Sequence, residues 1–300
     1  MAHPPLLDEV WREQSVWSQA ADRMKDGIER ARLAALIVVV LVAVLGTTAA
    51  AVSGAAPTLG RVLAAVAAAG SAVLPMLRPR WSGTRLRDWT RARSVSEALK
   101  ADVYLWLAHV RPFADDADAA VLAGRVDKLR VDAADLRSAC DGIDPLPRGL
   151  PPVDDLASFF VVRVMGQYDG YYRPQVTMID TRLKWFRGIG IALGAVGAVL
   201  GAIAAVLDAS LASWIAVVAT VGTAVAAHVA ATRYEFQRIE FARTAEELRQ
   251  IKVRADRPDA TGPELQRLAR RAERVISIEN QGWMAKLAED PADQKAPEAP

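Results

Sequence analysis

Residues 188–231 read GIGIALGAVGAVLGAIAAVL, then DAS, then LASWIAVVATVGTAVAAHVAA. The two apolar runs, 188–207 and 211–231, contain no Asp, Glu, Lys or Arg. Each run has about 20 residues, which is the length an α-helix needs to cross a hydrocarbon core of about 30 Å. Because only three residues separate the runs, the stretch predicts a hairpin of two membrane spans.

The same pattern occurs earlier in the chain, where apolar runs at 33–52 and 59–77 flank a short turn with the breakers Gly54 and Pro57. Arg61 lies near the outer end of the second run, where its side chain can reach the headgroups. The alternative is a helical hairpin buried in a soluble protein. Two adjacent runs of this length and purity favour the membrane. The predicted fold is therefore all-α, an integral membrane protein with four transmembrane helices arranged as two tandem helical hairpins.

Basic residues indicate the orientation of these spans. The segment after the second span holds six arginines against the single acidic residue Asp88: Arg78, Arg80, Arg85, Arg87, Arg91 and Arg93. The turns 53–58 and 208–210 hold no Lys or Arg. Since basic flanks mark the cytoplasmic side, we expect both termini in the cytoplasm and a multi-pass protein of the inner (plasma) membrane.

The segments outside the spans carry amphipathic helical patterns and predict a cytoplasmic helical bundle. The N-terminal stripe consists of Leu7, Val10, Trp11, Gln14, Trp17, Ala21, Met24 and Ile28. A second stripe follows Trp89, and a third predicted helix covers 115–141. Residues 159–185 are also helical in pattern, with a break expected near Gly166, Gly170 and Pro174.

The chain is an internal repeat of helix, span, short turn, span and long helix. Shifting the sequence by about 150 residues places the first hairpin on the second. The predicted units are 1–143 and 153–289, joined by a Pro-rich linker at 144–152 and followed by a disordered tail at 290–300. Because each half begins and ends on the same side, the repeats are parallel rather than inverted.

Motifs on either side of each hairpin carry a family resemblance. The first half has Gln14-x-x-Trp17 before its hairpin and Trp89-x-x-x-Arg93-x-x-x-Glu97 after it. The second half has a matching set that consists of Arg163, Gln167, Tyr171, Tyr172, Arg243, Glu247, Glu273, Glu279 and Trp283. Both halves resemble SLATT domains, the SMODS and SLOG-associating two-transmembrane effector domains, which include DUF4231-like members. The resemblance implies a pore-forming membrane effector of a bacterial nucleotide-signalling defence system, with a nucleotide-generating or nucleotide-sensing partner protein.

No residue constellation indicates an enzyme, so we expect no catalytic residues, no cofactor and no metal. His3, His109 and His228 each lack a second metal ligand at helical spacing, and the single cysteine, Cys140, has no nearby histidine. The net charge of +2 gives no case for nucleic-acid binding.

Two features inside the predicted spans, a face of four glycines and one histidine, bear on function. Gly190, Gly194, Gly197 and Gly201 fall on one face of a helix and predict close helix–helix packing in lipid. The alternative is that small residues are simply common in Ala-rich spans. His228 lies near the inner end of the fourth span and is interpreted as an interfacial polar residue in preference to a proton or ion site.

The sequence thus predicts a membrane-embedded homo-oligomer that permeabilises the membrane. The competing interpretation is a non-conducting membrane anchor or scaffold whose cytoplasmic helices bind a partner protein.

Overall fold

The computed structural model describes residues 5–81, 83–113, 118–206 and 212–288. Eight α-helices account for most of these residues, and no strand occurs among them. They are α1 (Pro5–Val52), α2 (Pro57–Leu77), α3 (Gly83–Leu107), α4 (Asp118–Asp132), α5 (Leu156–Val206), α6 (Ala212–Thr232), α7 (Tyr234–Ala255) and α8 (Gly262–Ala288). The prediction of an all-α fold is confirmed.

The chain divides into two compact units. The core unit holds the described residues of 1–25, 86–178 and 236–300, and the hairpin unit holds those of 26–85 and 179–235. Each unit takes segments from both halves of the sequence repeat. Compact units and repeats are therefore two different divisions of the chain, and the predicted boundary at 144–152 is not where the units separate.

The hairpin unit contains four helical segments long and apolar enough to cross a membrane, which confirms the four predicted spans. Between 0% and 11% of the residues in their apolar windows are buried within the chain. The first two spans approach closely at two glycines. A Cβ at Gly60 would lie 3.1 Å from the carbonyl oxygen of Ala49, and one at Gly70 would lie 2.9 Å from Cγ2 of Val42. A larger residue at Gly60 would press on the backbone of α1, and one at Gly70 would require the side chain of Val42 to shift.

The core unit buries the apolar stripes of its helices. Of the predicted N-terminal stripe every member is buried except Met24, which is half-buried. The aromatic rings of Trp11, Tyr104 and Phe159 meet edge to face, with centroids 6.2 and 6.5 Å apart. Edge-to-face contact is a favoured geometry for aromatic pairs and adds to the stabilisation from burial. These rings join α1, α3 and α5 within one core.

The Pro-rich segment 144–152 packs against α1. The indole Nε1 of Trp11 donates to the carbonyl of Gly149 at 2.9 Å, and the backbone N–H of Leu146 donates to Ser15 Oγ at 3.0 Å. Gln19 Nε2 donates to the carbonyl of Asp144, also at 2.9 Å. Because prolines leave few N–H groups to satisfy, an extended segment can lie on a helix with only these bonds. The predicted linker is therefore bound to α1, and we call residues 144–152 the strap.

The third predicted helix is shorter than expected. Helix α4 ends at Asp132, and Ala134–Cys140 forms a 3₁₀-helix. The apolar pattern of 115–141 places Ala120, Val121, Val126, Leu129, Ala133 and Leu136 on one face. In the structure Leu122, Val126, Ala133 and Leu136 are buried, whereas Ala120 and Val121 are exposed. Steps of four, three and four residues place Leu122, Val126, Leu129 and Ala133 on one helix face, and Val121 lies one position to the side of that face.

The break expected near Gly166, Gly170 and Pro174 does not occur, because α5 is continuous from Leu156 to Val206. Instead, Phe160–Met165 and Tyr168–Tyr172 form two π-helical segments within it. The wider π turn absorbs the irregularity without ending the helix, and such segments are frequent at functional sites.

Three sequence-based expectations concern parts of the chain that the structure does not describe: the turn 208–210, the tail 290–300 and the side chain of Trp283. The backbone of Trp283 belongs to α8.

Candidate functional site: a buried charge cluster

The first π-helical segment of α5 places Arg163 inside the core unit. This guanidinium is among the largest fully buried side chains, with 1% of its surface exposed. Its Nε and Nη2 donate to the two carboxylate oxygens of Glu273 on α8 at 2.7 and 2.8 Å. The planar fork of arginine matches a carboxylate in this two-bond arrangement, which gives both strength and a fixed orientation.

A second carboxylate, from Glu97 on α3, completes the cluster. Its oxygens lie 2.9 Å from Arg93 and 3.9 Å from Arg163. The ring of Tyr104 lies below Arg163, 4.9 Å from the guanidinium carbon. A buried charge costs several kcal/mol unless it is paired, so each member of the cluster depends on the others. Helices α3, α5 and α8 are therefore joined by charge as well as by apolar contact.

The electrostatics of the cluster follow from this packing. Burial raises the pKa of Glu97, but the charges of Lys100, Arg93 and Arg163 outweigh that effect and hold the pKa below its usual value. Burial lowers the pKa of Lys100 to about 8, although the carboxylate of Glu97 acts in the opposite direction. Lys100 is thus a group whose charge can change near neutral pH. Nη1 of Arg163 is buried without a partner among the described residues.

A neighbouring network connects α1 to this cluster. Gln14 Nε2 donates to Ser96 Oγ at 2.9 Å, and both side chains are buried. Arg148 of the strap donates to Oε1 of Gln14 and stacks 3.9 Å above the ring of Trp11. Ser96 directly precedes Glu97, so the strap, α1 and the charge cluster belong to one polar layer.

The motif residues of the sequence repeat fall into different environments. Trp17 and Trp89 are buried, Gln167 is half-buried, and Tyr171 and Tyr172 pack on Phe241 with centroids 5.9 and 6.0 Å apart. Arg93 bonds Glu97 as the i,i+4 spacing predicts. The equivalent pair behaves differently, because Glu247 accepts from Arg271 at 2.8 Å while Arg243 is exposed. Because both pairs recur at equivalent positions, their spacing predicts that both join the helical core, but Arg243 is exposed and Glu247 is half-buried.

The predicted glycine face is divided by the structure. A Cβ at Gly197 would lie 3.6 Å from Val218, and one at Gly201 would lie 3.9 Å from Ile215, so these two face α6. At Gly190 and Gly194 an added Cβ meets no atom of the described chain within 4 Å. His228 is half-buried, with its ring centroid 5.8 Å from that of Phe186.

A cleft of about 570 Å³ lies elsewhere in the core unit and includes Cys140 in its lining. Arg130 crosses it and bonds Glu9 and Glu13 at 2.8 and 2.7 Å. Burial raises the pKa of Cys140 to about 11, so the thiol stays protonated and is a poor nucleophile. Within the described residues no group of three His, Cys, Asp or Glu side chains is placed to hold a metal ion.

Comparison with known families divides the chain in the way that the repeat does. Residues 159–283 match the family SLATT_1, described as SMODS and SLOG-associating 2TM effector domain 1. Residues 15–120 match DUF4231, described as a protein of unknown function. No curated protein and no solved structure matches.

The charge cluster joins these two matches. Glu97 and Arg93 come from the first matched region, and Arg163 and Glu273 come from the second. Sequence reasoning found Arg163 and Glu273 as motif residues but missed their bond, since 110 positions separate them. With four helices able to span a membrane, the chain is a multi-pass membrane protein, and its matches over 15–120 and 159–283 support a SLATT-domain protein with two domains in tandem.

Proposed function

We propose that this protein is an effector of a bacterial nucleotide-signalling defence system that permeabilises the inner membrane once it assembles into an oligomer, and that a partner protein promotes this assembly. The observation that carries the proposal is the exposure of the apolar spans in the hairpin unit, because at most 11% of the residues in each apolar window are buried within one chain. Surfaces of this kind are available to lipid and to further copies. Association of helices in lipid relies on close van der Waals packing at small residues.

The open half of the glycine face supports assembly. Gly190 and Gly194 share a helix face with Gly197 and Gly201, but only the latter two are covered by α6. A helix of a second copy can approach the uncovered part of α5 as closely as two backbones allow. Weakly polar side chains such as Thr220 and Thr223 are exposed on α6 and are suited to line a water-filled path.

We propose that the partner protein binds to the core unit. Among its described residues no group of three His, Cys, Asp or Glu side chains could hold a metal ion, and we propose that the protein is not an enzyme. Its termini lie in the cytoplasm in this proposal, on the side that carries the arginines after the second span. The buried charge cluster gives both SLATT domains one shared core, so a partner that binds either domain acts on both.

The test is the membrane potential of bacteria that express the chain, measured with a voltage-sensitive dye. We expect the parent to depolarise the cells and Gly190→Leu/Gly194→Leu to restore the potential, because two leucines block the open glycine face. Gly46→Leu is the matched control, since an added Cβ at Gly46 also meets no atom of the described chain within 4 Å. A normal potential in cells that contain the assembled parent would favour the competing function, a non-conducting anchor.

A further inference from the structure

Basic residues concentrate at one end of the hairpin unit. The segments that flank the four spans at this end, 26–32, 78–85, 179–187 and 233–235, hold nine Lys and Arg residues against four Asp and Glu residues. The opposite end of the first hairpin has Arg61. We call the former the basic end. A positive charge at the end of a span attracts anionic headgroups.

Three helices bring polar groups together at the basic end. Nη1 of Arg182 on α5 donates to the hydroxyl of Tyr234 at 3.4 Å, and the guanidinium lies 5.8 Å from the centre of that ring. The ring of Phe186 stacks on Tyr234 at 6.1 Å and meets His228 of α6 at 5.8 Å. This aromatic group fixes the positions of Arg182, Tyr234 and His228 relative to one another.

Arg32 of α1 belongs to the same hairpin unit. Its charge acts electrostatically on both Tyr234 and His228. Nε of Arg32 is buried without a partner among the described residues. A buried guanidinium nitrogen with an unmade hydrogen bond costs free energy that an added acceptor would recover. The nearby carboxylate of Glu29 offsets part of the positive charge of Arg32.

The geometry points to a phosphate-binding site. We propose that Arg32, Arg182, His228 and Tyr234 bind the phosphate group of an anionic phospholipid at the basic end of the hairpin unit. Guanidinium groups bind phosphate through paired, charge-assisted hydrogen bonds, and a tyrosine hydroxyl or imidazole nitrogen adds a further donor. Basic pockets between transmembrane helices bind lipid headgroups in this way. The inference requires only that the spans lie in a membrane and is independent of pore formation.

The side chains at the basic end combine cationic and apolar surfaces, and a site for a phospholipid headgroup needs both. Phe186 and the exposed ring of Trp185 are apolar surfaces next to the cationic groups. Aromatic rings are enriched at the depth where the acyl chains meet the headgroups. A free phosphate ion would use only the polar half of this arrangement, whereas a phospholipid uses both halves.

The experiment measures lipid retained by the full-length protein. The chain is placed in nanodiscs of phosphatidylcholine with a minor fraction of phosphatidylglycerol, released into the gas phase, and its bound lipids are counted by native mass spectrometry. We expect the parent to retain phosphatidylglycerol, and Arg32→Gln/Arg182→Gln to bind it about tenfold more weakly, as the loss of charge-assisted contacts implies. Tyr234→Phe, which keeps the ring stack and removes one hydroxyl, should lose a smaller part.

Two controls make the result decisive. Arg61→Gln removes an exposed arginine of the same unit at the opposite end and should leave lipid retention unchanged. Inorganic phosphate, titrated in detergent, separates a lipid site from a site for free phosphate. The proposal is overturned if the double variant and Tyr234→Phe, both monodisperse, retain phosphatidylglycerol like the parent. It is equally overturned if inorganic phosphate binds and the lipid shows no preference over phosphatidylcholine.

Discussion

Arg163→Met lowers the free energy of unfolding of the core unit by about 3–5 kcal/mol, the range found when one partner of a buried ion pair is removed. The substitution leaves the carboxylate of Glu273 buried with neither of its two bonds from Arg163, at 2.7 and 2.8 Å. It also removes a positive charge 3.9 Å from Glu97. For a unit of this size each kcal/mol lowers the Tm by roughly 2–4 °C. Thermal unfolding in detergent, followed by tryptophan fluorescence, measures the shift.

The matched control is Arg271→Met, which breaks an arginine–glutamate pair of the same length. Arg271 and Glu247 are 46% and 30% exposed, and such pairs contribute about 0–1 kcal/mol. The double variant Arg163→Met/Glu273→Leu should recover much of the loss, because it removes the buried charge together with its partner. Similar Tm values for Arg163→Met and Arg271→Met would contradict the account of the cluster.

Lys100→Met raises the free energy of unfolding at neutral pH by at most about 3 kcal/mol. Burial lowers the pKa of Lys100 to about 8 in the folded chain, against 10.5 in the unfolded chain. The proton on Lys100 therefore destabilises the folded state. This destabilisation is fully present below about pH 8 and disappears as the pH rises to 10.5. In this window the unfolded state binds more protons, so the parent becomes more stable as the pH rises. Methionine fills a similar volume without the charge.

The measurement is the Tm of parent and variant at about pH 7 and about pH 9.5, on either side of the folded-state titration. The variant should be the more stable protein at the lower pH, and the difference should shrink at the higher pH. Glu97 keeps its bond to Arg93 at 2.9 Å in the variant. Lys128→Met on the exposed face of α4 serves as the control and should change neither value. A pH-independent difference would show that Lys100 acts by packing alone.

The spans and most helices could be predicted because their signals are local. An uncharged run of about 20 residues identifies a membrane helix whatever surrounds it. The buried stripe at Leu7, Val10 and Trp11 repeats with the helical period, and the structure confirms it. The same reasoning failed for Val121, which is exposed, because the buried face of α4 runs through Leu122 and Val126, four residues apart, and Val121 lies beside it.

The candidate site could be predicted only in part. The spacing of Arg93 and Glu97 indicates their bond, since four residues bring two side chains together on a helix. The bond between Arg163 and Glu273 depends on how α5 and α8 pack, and no local pattern encodes that. The π-helical segment that carries Arg163 is likewise a response to tertiary packing. The docked strap at 144–152 has the composition of a linker and is held by the side chains of Trp11 and Gln19.

The most direct test of the proposed function is potassium efflux from lipid vesicles that contain the purified chain, with the oligomeric state determined in the same preparation. We expect efflux from vesicles with the assembled parent and efflux at the level of empty vesicles with Gly190→Leu/Gly194→Leu. Gly46→Leu should conduct like the parent. Assembled parent protein whose vesicles release no more potassium than empty ones, under an applied potential of either sign, would contradict a conducting oligomer.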